Sequence, residues 1–255
     1  MVSPAGYGIV ALAALAAGLV NALAGGGSLI SFPTLTAVGL PAVAANVTNT
    51  LALSPGYLGA TLAQRHQLRG QWQRILLLLP AAALGGLTGG LLLLGSDEAL
   101  FRRLVPWLIL AGALLLAAQE PLRAHLLRRA RSRPASSRPP EALAIAPVFL
   151  ASVYGGYFGA GLGVIVLSVL ALTLEDSLTR LNGLKQAISL VVNLAASGLF
   201  LLAGPVQAPA AVVMAVGATI GGALGGRIAS RIDPTSLRTL VVTLGVTVSL
   251  ILFAL

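Results

Sequence analysis

The sequence predicts an all-α membrane protein that crosses the bilayer several times. Of its 255 residues, 57% are hydrophobic and only 9% are charged, whereas soluble domains carry about 25% charged residues. The mean hydropathy is +0.94, and no charged residue precedes Arg65. Residues 75–94 contain no charge, and a helix of that length crosses about 30 Å of hydrocarbon.

The chain begins with an apolar run that is too long for one span. Residues 6–38 are 33 residues without a charge, or about 50 Å of helix. Gly25-Gly26-Gly27 interrupts this run, and Tyr154–Gly163 interrupts a second uncharged run at residues 142–174. Lipid cannot satisfy irregular backbone, so broken helices at membrane depth usually line a protected cavity.

Three further spans are expected after each broken run, at 46–63, 75–94 and 104–118 and at 184–204, 208–226 and 239–255. Residues 120–141 contain six arginines and four prolines, a composition typical of an exposed linker. The predicted domains are a first repeat at 1–119, an arginine-rich linker at 120–141 and a second repeat at 142–255.

A shift of 136 residues superposes the two halves, except that the glycine breaks align two residues off this shift. Between positions 85 and 105, eight of twenty-one residues are then identical, including Asp97 with Asp233 and Arg102 with Arg238. Biased composition explains matching glycines and leucines better than it explains these charged pairs. The two halves are therefore predicted to be repeats of one unit.

The basic residues indicate how the repeats are oriented. If each broken run is a hairpin that enters and leaves on one side, each half has three full crossings and the halves are inverted. Fourteen of the sixteen Lys and Arg residues then share one side, and only Arg102 and Arg103 lie on the other. The positive-inside rule favours this arrangement. The basic loops and linker are then cytoplasmic and both termini are outside.

The predicted fold is thus two inverted repeats, each a re-entrant or broken helix hairpin followed by three transmembrane helices. Inverted repeats with discontinuous helices are typical of secondary transporters. The net charge of +9 is explained by the loop arginines, so nucleic-acid binding is not expected. The chain has no cysteine, which excludes thiolate metal sites, and no metal or cofactor is predicted.

Two polar stripes occupy equivalent spans. Asn46, Asn49, Thr50 and Tyr57 share one helical face, and Asn182, Lys185, Gln186, Ser189 and Asn193 form the matching stripe in the second half. Such residues either hydrogen-bond between helices or, beside a glycine break, form a substrate site. Lys185 either faces an anionic substrate or extends to the cytoplasmic interface.

The breaks themselves suit an anion. A helix that begins after a break offers backbone N–H groups and the positive end of its dipole. Glycine lets the backbone approach a ligand closely, and Ser28 adds a hydroxyl group.

Several segments resemble the sulfite exporter TauE/SafE family of bacterial membrane proteins. They are Asn21-Ala-Leu-Ala-Gly-Gly-Gly-Ser-Leu-Ile-Ser-Phe-Pro33, Ala45-Asn-Val-Thr-Asn-Thr50 and Pro55-Gly-Tyr-Leu-Gly59, with Tyr154–Gly163 and Leu181-Asn-Gly-Leu-Lys185 in the second half. The family's usual second motif ends in Lys-Asn, where this chain has Lys185-Gln186. The resemblance implies transport of small sulfur-containing anions, such as sulfite, sulfonates or sulfoacetate, across the bacterial inner membrane.

The predicted substrate site combines both hairpin tips with both stripes. Its residues are Asn21, Gly25, Gly26, Gly27, Ser28, Asn46, Asn49, Thr50, Tyr57, Gly159, Ala160, Gly161, Asn182, Lys185, Gln186, Ser189 and Asn193. An anion channel and an anion-sensing receptor or accessory subunit are the alternatives. A membrane enzyme is disfavoured because no catalytic constellation is evident. The coupling ion, H⁺ or Na⁺, and the oligomeric state are left open.

Overall fold

The computed structural model describes residues 3–23, 26–132, 140–228 and 234–254, and within them every regular element is helical. The first half contains α1 (Pro4–Leu23), α2 (Ser28–Ala37), α3 (Ala42–Ala63), α4 (Trp72–Gly95) and α5 (Glu98–Ser132). The second half contains α6 (Ile145–Tyr157), α7 (Leu162–Thr173), α8 (Leu178–Ala203), α9 (Ala208–Ile228) and α10 (Pro234–Ala254).

Each half has the same order, with two helices separated by a glycine break and then three longer helices. The first break lies between Leu23 and Ser28, and the second between Tyr157 and Leu162. Gly26, Gly159 and Gly161 have φ angles of 84°, 80° and 78°, a left-handed conformation that glycine adopts more readily than other residues. The helices are therefore interrupted at the glycine clusters seen in the sequence.

Helix α5 is longer than the span expected from the sequence. It runs for 35 residues and includes both Pro106 and Pro121. Residues 120–132, which the sequence analysis assigned to the linker, continue this helix. Residues 133–139 lie outside the described part of the chain.

Close helix pairs join the two halves reciprocally. Helix α1 packs on α9, and α6 packs on α4. A Cβ atom on Gly221 would collide with the carbonyl oxygen of Leu15, and one on Gly85 would lie 2.5 Å from that of Phe149. The paired glycines of α4 and α9 thus allow two backbones to touch.

Four helices accordingly form each of two bundles. The first bundle comprises α1, α2, α3 and α9, and the second comprises α4, α6, α7 and α8. One hydrophobic core joins the four helices of the second bundle. The larger core joins the first bundle with α5, α10 and the terminal-side parts of α4 and α8. The fourth helix of each bundle therefore comes from the opposite half of the sequence.

Residue contacts define the relative directions of the helices. Along α3 and α8, Val47 meets Gly204, Ser54 meets Ser197 and Gln64 meets Asn182, so these helices are antiparallel. Along α1 and α9, Ala11 meets Gly217 and Leu15 meets Gly221, so these helices are parallel.

The ends of the molecule can be named from these directions. Helix α5 begins beside the start of α3, where the Glu98 carboxylate accepts the N–H groups of Ala42 and Val43. The start of α9 adjoins α3 through the Thr48 hydroxyl and the Gln207 N–H group, 3.1 Å apart. This end is called the terminal side, and the opposite end, toward which α5 runs into the linker, is called the linker side.

In the part of the chain that the structure describes, six helices are long and apolar enough to cross a membrane: α1, α4, α5, α8, α9 and α10. Helix α3 is absent from this set, although its 22 residues are sufficient in length. It carries the first polar stripe and is buried among other helices over most of its first half. A polar helix is tolerated there because protein, not lipid, surrounds it.

Candidate functional site

A cavity of about 660 Å³ lies between the two bundles and beside α5. On α1, α3 and α9 its lining begins at Gly18, Leu53 and Ala218, so the first half of each helix is excluded. On α8 it extends from Asn182 to Ser189, near the linker-side end. The cavity therefore extends from the two glycine breaks toward the linker side.

Ten of the residues predicted from the sequence line this cavity. They are Asn21, Gly26, Ser28, Tyr57, Gly159, Gly161, Asn182, Lys185, Gln186 and Ser189. They come from α1, α2, α3, α8 and both breaks, so the fold brings together residues that are up to 168 positions apart in the sequence, from Asn21 to Ser189.

Lys185 is the one charged residue among the described residues that line the cavity. Its Nζ atom lies 3.8 Å from the position that a Cβ atom would occupy on Gly163. Gly163 is in the first turn of α7, where the helix dipole is positive and favours anions. A cationic side chain and a helix N-terminus therefore meet at one point of the cavity wall.

The second polar stripe follows the same wall. The Asn182 amide donates to Gln64 Oε1 at 2.7 Å and so links α8 to the end of α3. Ser189 is 1% exposed, and its Oγ atom has no hydrogen-bond partner. Asn193 donates to the Ser189 carbonyl oxygen at 2.8 Å and does not line the cavity.

In the first polar stripe, Asn46, Asn49 and Thr50 face protein and not the cavity. Asn46 donates to the Tyr157 carbonyl oxygen at 2.8 Å, and Asn49 Oδ1 accepts from the Ser31 hydroxyl at 2.6 Å. Thr50 donates to the Asn46 carbonyl oxygen at 2.9 Å. None of these three residues lines the cavity. The bonds of Asn46 and Asn49 are those expected of polar contacts between membrane helices, whereas the Thr50 bond lies within α3.

The breaks offer fewer free N–H groups than the sequence suggested. The N–H groups of Leu29, Ile30 and Leu162 donate to the carbonyl oxygens of Gly26, Gly27 and Gly159. Ser28 and Gly163, in the first turns of α2 and α7, line the cavity.

The remaining residues predicted at the breaks lie elsewhere. Gly27 packs against the Ala17 carbonyl oxygen, and the Ala160 carbonyl oxygen accepts from the Tyr154 hydroxyl at 2.6 Å. Gly25 lies outside the described residues.

Four polar lining residues were not predicted from the sequence: Gln64, Gln119, Ser168 and Thr219. At a shift of 136 residues the counterparts of Gln64, Gln119 and Thr219 are Phe200, Leu255 and Ala83, so a search for polar pairs related by this shift cannot find them. Ser168 and Thr219 have only apolar neighbours in the sequence, and this was the remaining signal.

On the terminal side, an aromatic cluster closes the space between the bundles. It consists of Phe32, Phe101, Tyr157 and Phe158. The ring centroids of Phe32 and Phe158 are 5.3 Å apart, and those of Phe101 and Tyr157 are 5.6 Å apart. Phe32, Phe101 and Phe158 are buried in the larger core, so this end of the bundle interface is packed with side chains.

On the linker side, charged residues join the base of the second hairpin to α4. Arg74 pairs with Glu141 at 2.7 Å and with Asp176 at 2.6 Å, and Arg180 pairs with Asp176 at 2.9 Å. Burial alone would raise the pKa of Asp176. Hydrogen bonds from Arg180, the Ser177 N–H group and Arg74 outweigh that effect and hold the pKa below its usual value.

A bundle of membrane-length helices around a cavity bounded by two broken helices is typical of a membrane transporter. The chain belongs to the sulfite exporter TauE/SafE family, whose sequence profile matches residues 10–252. The expectation drawn from the sequence motifs is thereby confirmed at the level of the family.

Curated relatives are also membrane transporters by name. The chain is 31% identical over 198 residues to the "Probable membrane transporter protein" of Haemophilus influenzae, covering 78% of this chain and 75% of that protein. It is 25% identical over 218 residues to the "Probable membrane transporter protein YfcA" of Escherichia coli K12, covering 85% and 78%. No solved structure gives a significant match. The protein is thus a multi-pass membrane transporter of the TauE/SafE family.

Proposed function

We propose that the protein is a secondary transporter of small sulfur-containing anions, such as sulfite, sulfonates or sulfoacetate. The observation that carries this proposal is the position of Lys185, the one charged lining residue described, beside the first turn of α7. An anion there gains both an ammonium group and a helix N-terminus. The name of the family, a sulfite exporter family, supports an anion that contains sulfur.

The substrate site consists of the ten predicted lining residues together with Gln64, Gln119 and Ser168. Gly27, Ala160, Asn46, Asn49, Thr50 and Asn193 act behind it, where they hold the breaks and helices in place. The two glycine breaks line the terminal-side end of the substrate site, and α8 and the second half of α3 line its sides.

Two inverted repeats form the scaffold. The antiparallel course of α3 and its counterpart α8 supports inversion, because parallel repeats would place these helices in the same direction. Helices α1 and α3 both start beside α9 on the terminal side, so α2 returns the chain between them. This course supports a hairpin that enters and leaves on one side.

The linker side faces the cytoplasm of a bacterial cell, across the inner membrane, and both termini are outside. The fourteen basic residues assigned to this side of the sequence support that orientation, against two on the other. The cavity described above is then open toward the cytoplasm.

Transport proceeds by alternating access between the two bundles. The conformation with the aromatic cluster closed and the linker-side cavity accessible is one end state. In the other, the aromatic cluster separates and the linker-side walls close, as one bundle rocks against the other about the breaks.

Replacement of Lys185 tests the substrate class. We expect Lys185→Gln to weaken binding of a sulfur anion by about 10- to 100-fold, because a hydrogen bond to a charged group contributes roughly 1.5–3 kcal/mol. The control is Arg65→Ala, which removes an exposed cation on the same side. Calorimetry with sulfite, sulfoacetate and acetate on purified protein measures the effect.

Equal affinities for wild type and Lys185→Gln would remove Lys185 from the site, and no binding of any sulfur anion would contradict the substrate class. Counterflow in proteoliposomes separates a transporter from the alternatives. A channel conducts without counterflow, and a receptor binds without transport.

A further inference from the structure

Buried oxygen atoms cluster at the sealed end, on the terminal side of the first break. The Ser31 Oγ atom is 2.6 Å from Asn49 Oδ1 and 3.2 Å from the Gly27 carbonyl oxygen. A hydroxyl group has one proton, so it can satisfy only one of these two acceptors at a time. Ser31 and Asn49 are 1% and 2% exposed, which keeps water away from both side chains.

Asn46 adds a further acceptor one turn before Asn49. Its amide nitrogen is engaged by the Tyr157 carbonyl oxygen, and its Oδ1 atom is buried without a hydrogen-bond partner. A buried acceptor without a donor is destabilising. The Gly27 carbonyl oxygen also accepts the N–H groups of Ile30 and Ser31, so Asn46 Oδ1 is the acceptor in this cluster that lacks a donor.

The C-terminal end of α6 favours positive charge at this cluster. Tyr157 is the last residue of the half-helix α6, and the C-terminal end of a helix carries a partial negative charge. Phe158, the next residue, contacts Phe32, which follows Ser31 on α2. The oxygens of α2 and α3 and the carbonyl end of α6 thus meet at one junction between the two hairpins.

We propose that this junction binds Na⁺. The ligands are Asn46 Oδ1, Asn49 Oδ1, Ser31 Oγ and the carbonyl oxygens of Gly27 and Tyr157. Neutral side-chain oxygens and the carbonyls of half-helix ends are the ligands that transporters of this architecture use for Na⁺.

The ligand chemistry favours a monovalent ion. No carboxylate is in this set, and no group of three or more His, Cys, Asp or Glu side chains suited to a metal ion occurs among the described residues. A divalent ion such as Ca²⁺ normally recruits carboxylates.

The position of this site gives Na⁺ a role in coupling, and that role rests on the transporter function proposed above. The ion ties α2 and α3 of the first bundle to the end of α6 in the second. It therefore stabilises the closed terminal side, next to but separate from the anion cavity. Binding of Na⁺ itself does not require that an anion be present.

Thermal unfolding of the full-length protein in detergent tests the site. Scans are run in NaCl, KCl and choline chloride at equal concentration, so the anion is constant. We expect Na⁺ alone to raise the Tm of wild type, by on the order of 5 °C at about a hundred times its dissociation constant. Ser31→Ala should lose this shift, whereas Ser54→Ala, which removes another buried hydroxyl group from the bundle interface, should keep it.

A wild-type Tm that is equal in the three salts would overturn the proposal, and so would a full Na⁺ shift in Ser31→Ala. Equal loss in Ser54→Ala would also overturn it, by attributing the shift to general packing. If Ser31→Ala does not fold, Asn46→Leu replaces it, with the same loss expected. Calorimetry of the anion without Na⁺ reports separately on the proposed substrate.

Discussion

The two ends of the bundle interface differ in their side chains. On the terminal side, Phe32 and Tyr157 belong to the packed aromatic cluster. On the linker side, Ser168 and Asn21 line the open cavity. Large rings thus fill the interface at one end, and small polar groups border the cavity at the other.

The two ends share their backbone elements, whereas the side chains at the interface are specific to each end. Both ends have a glycine break, a short helix and a close helix pair, α1 with α9 or α4 with α6. These shared features set the backbone scaffold. The rings of Phe32 and Tyr157, against the smaller Ser168 and Asn21, favour closure at the terminal side and access at the linker side.

The largest expected effect comes from the shared scaffold. Gly85→Ala and Gly221→Ala should each destabilise the protein by roughly 1–3 kcal/mol, because the added Cβ atom meets a backbone carbonyl oxygen of the partner helix. If the two bundles are built alike, the losses in Tm measured by thermal unfolding should be similar.

Gly198→Ala is the matched control for both changes. No atom lies within 4 Å of the Cβ position at Gly198, and alanine favours a helix over glycine by about 1 kcal/mol. Its Tm should be unchanged or higher. A normal Tm for only one of the two interface variants would show that the bundles are packed differently.

A smaller and pH-dependent effect is expected on the linker side alone. Asp176→Asn should destabilise the protein by about 1–2 kcal/mol at neutral pH, since Arg74 retains Glu141 while Arg180 loses its carboxylate partner. The lowered pKa of Asp176 means that its contribution is complete above its ordinary pKa and is lost as the pH falls toward the folded value.

The Tm difference between wild type and Asp176→Asn should therefore shrink below about pH 4. Thermal unfolding at several pH values measures it. A difference that stays constant down to pH 3 would contradict the role of the ionised carboxylate.

Much of the fold could be predicted because it depends on local properties of the sequence. The breaks were predicted at the glycine clusters, and Gly26, Gly159 and Gly161 have the positive φ angles that glycine allows. Seven polar site residues were found because polar groups in apolar spans are conspicuous, and three glycines were found because they interrupt such spans. The length of helix α5 was underestimated because Pro121 and the nearby arginines suggested a linker.

The remaining features depend on tertiary contacts. Periodicity placed Asn46 and Asn49 on one face of α3, but it could not show that this face meets Tyr157 and Ser31 instead of the cavity. The exchange of α4 and α9 between the bundles is likewise invisible in a division by repeats. Gln64 and Gln119 were missed because neither has a polar counterpart in the other half.

Single-cysteine labelling in oriented vesicles tests the central claim most directly, because the natural chain has no cysteine. Ser168→Cys places a thiol in the open cavity, and Ala45→Cys places one at a position that is 0% exposed in the sealed end. We expect a membrane-impermeant thiol reagent to label Ser168→Cys from the cytoplasmic side only, and Ala45→Cys from neither side without substrate. Labelling of Ser168→Cys from the outside, or equal labelling of both positions, would contradict a cavity that is open to the cytoplasm and sealed on the terminal side.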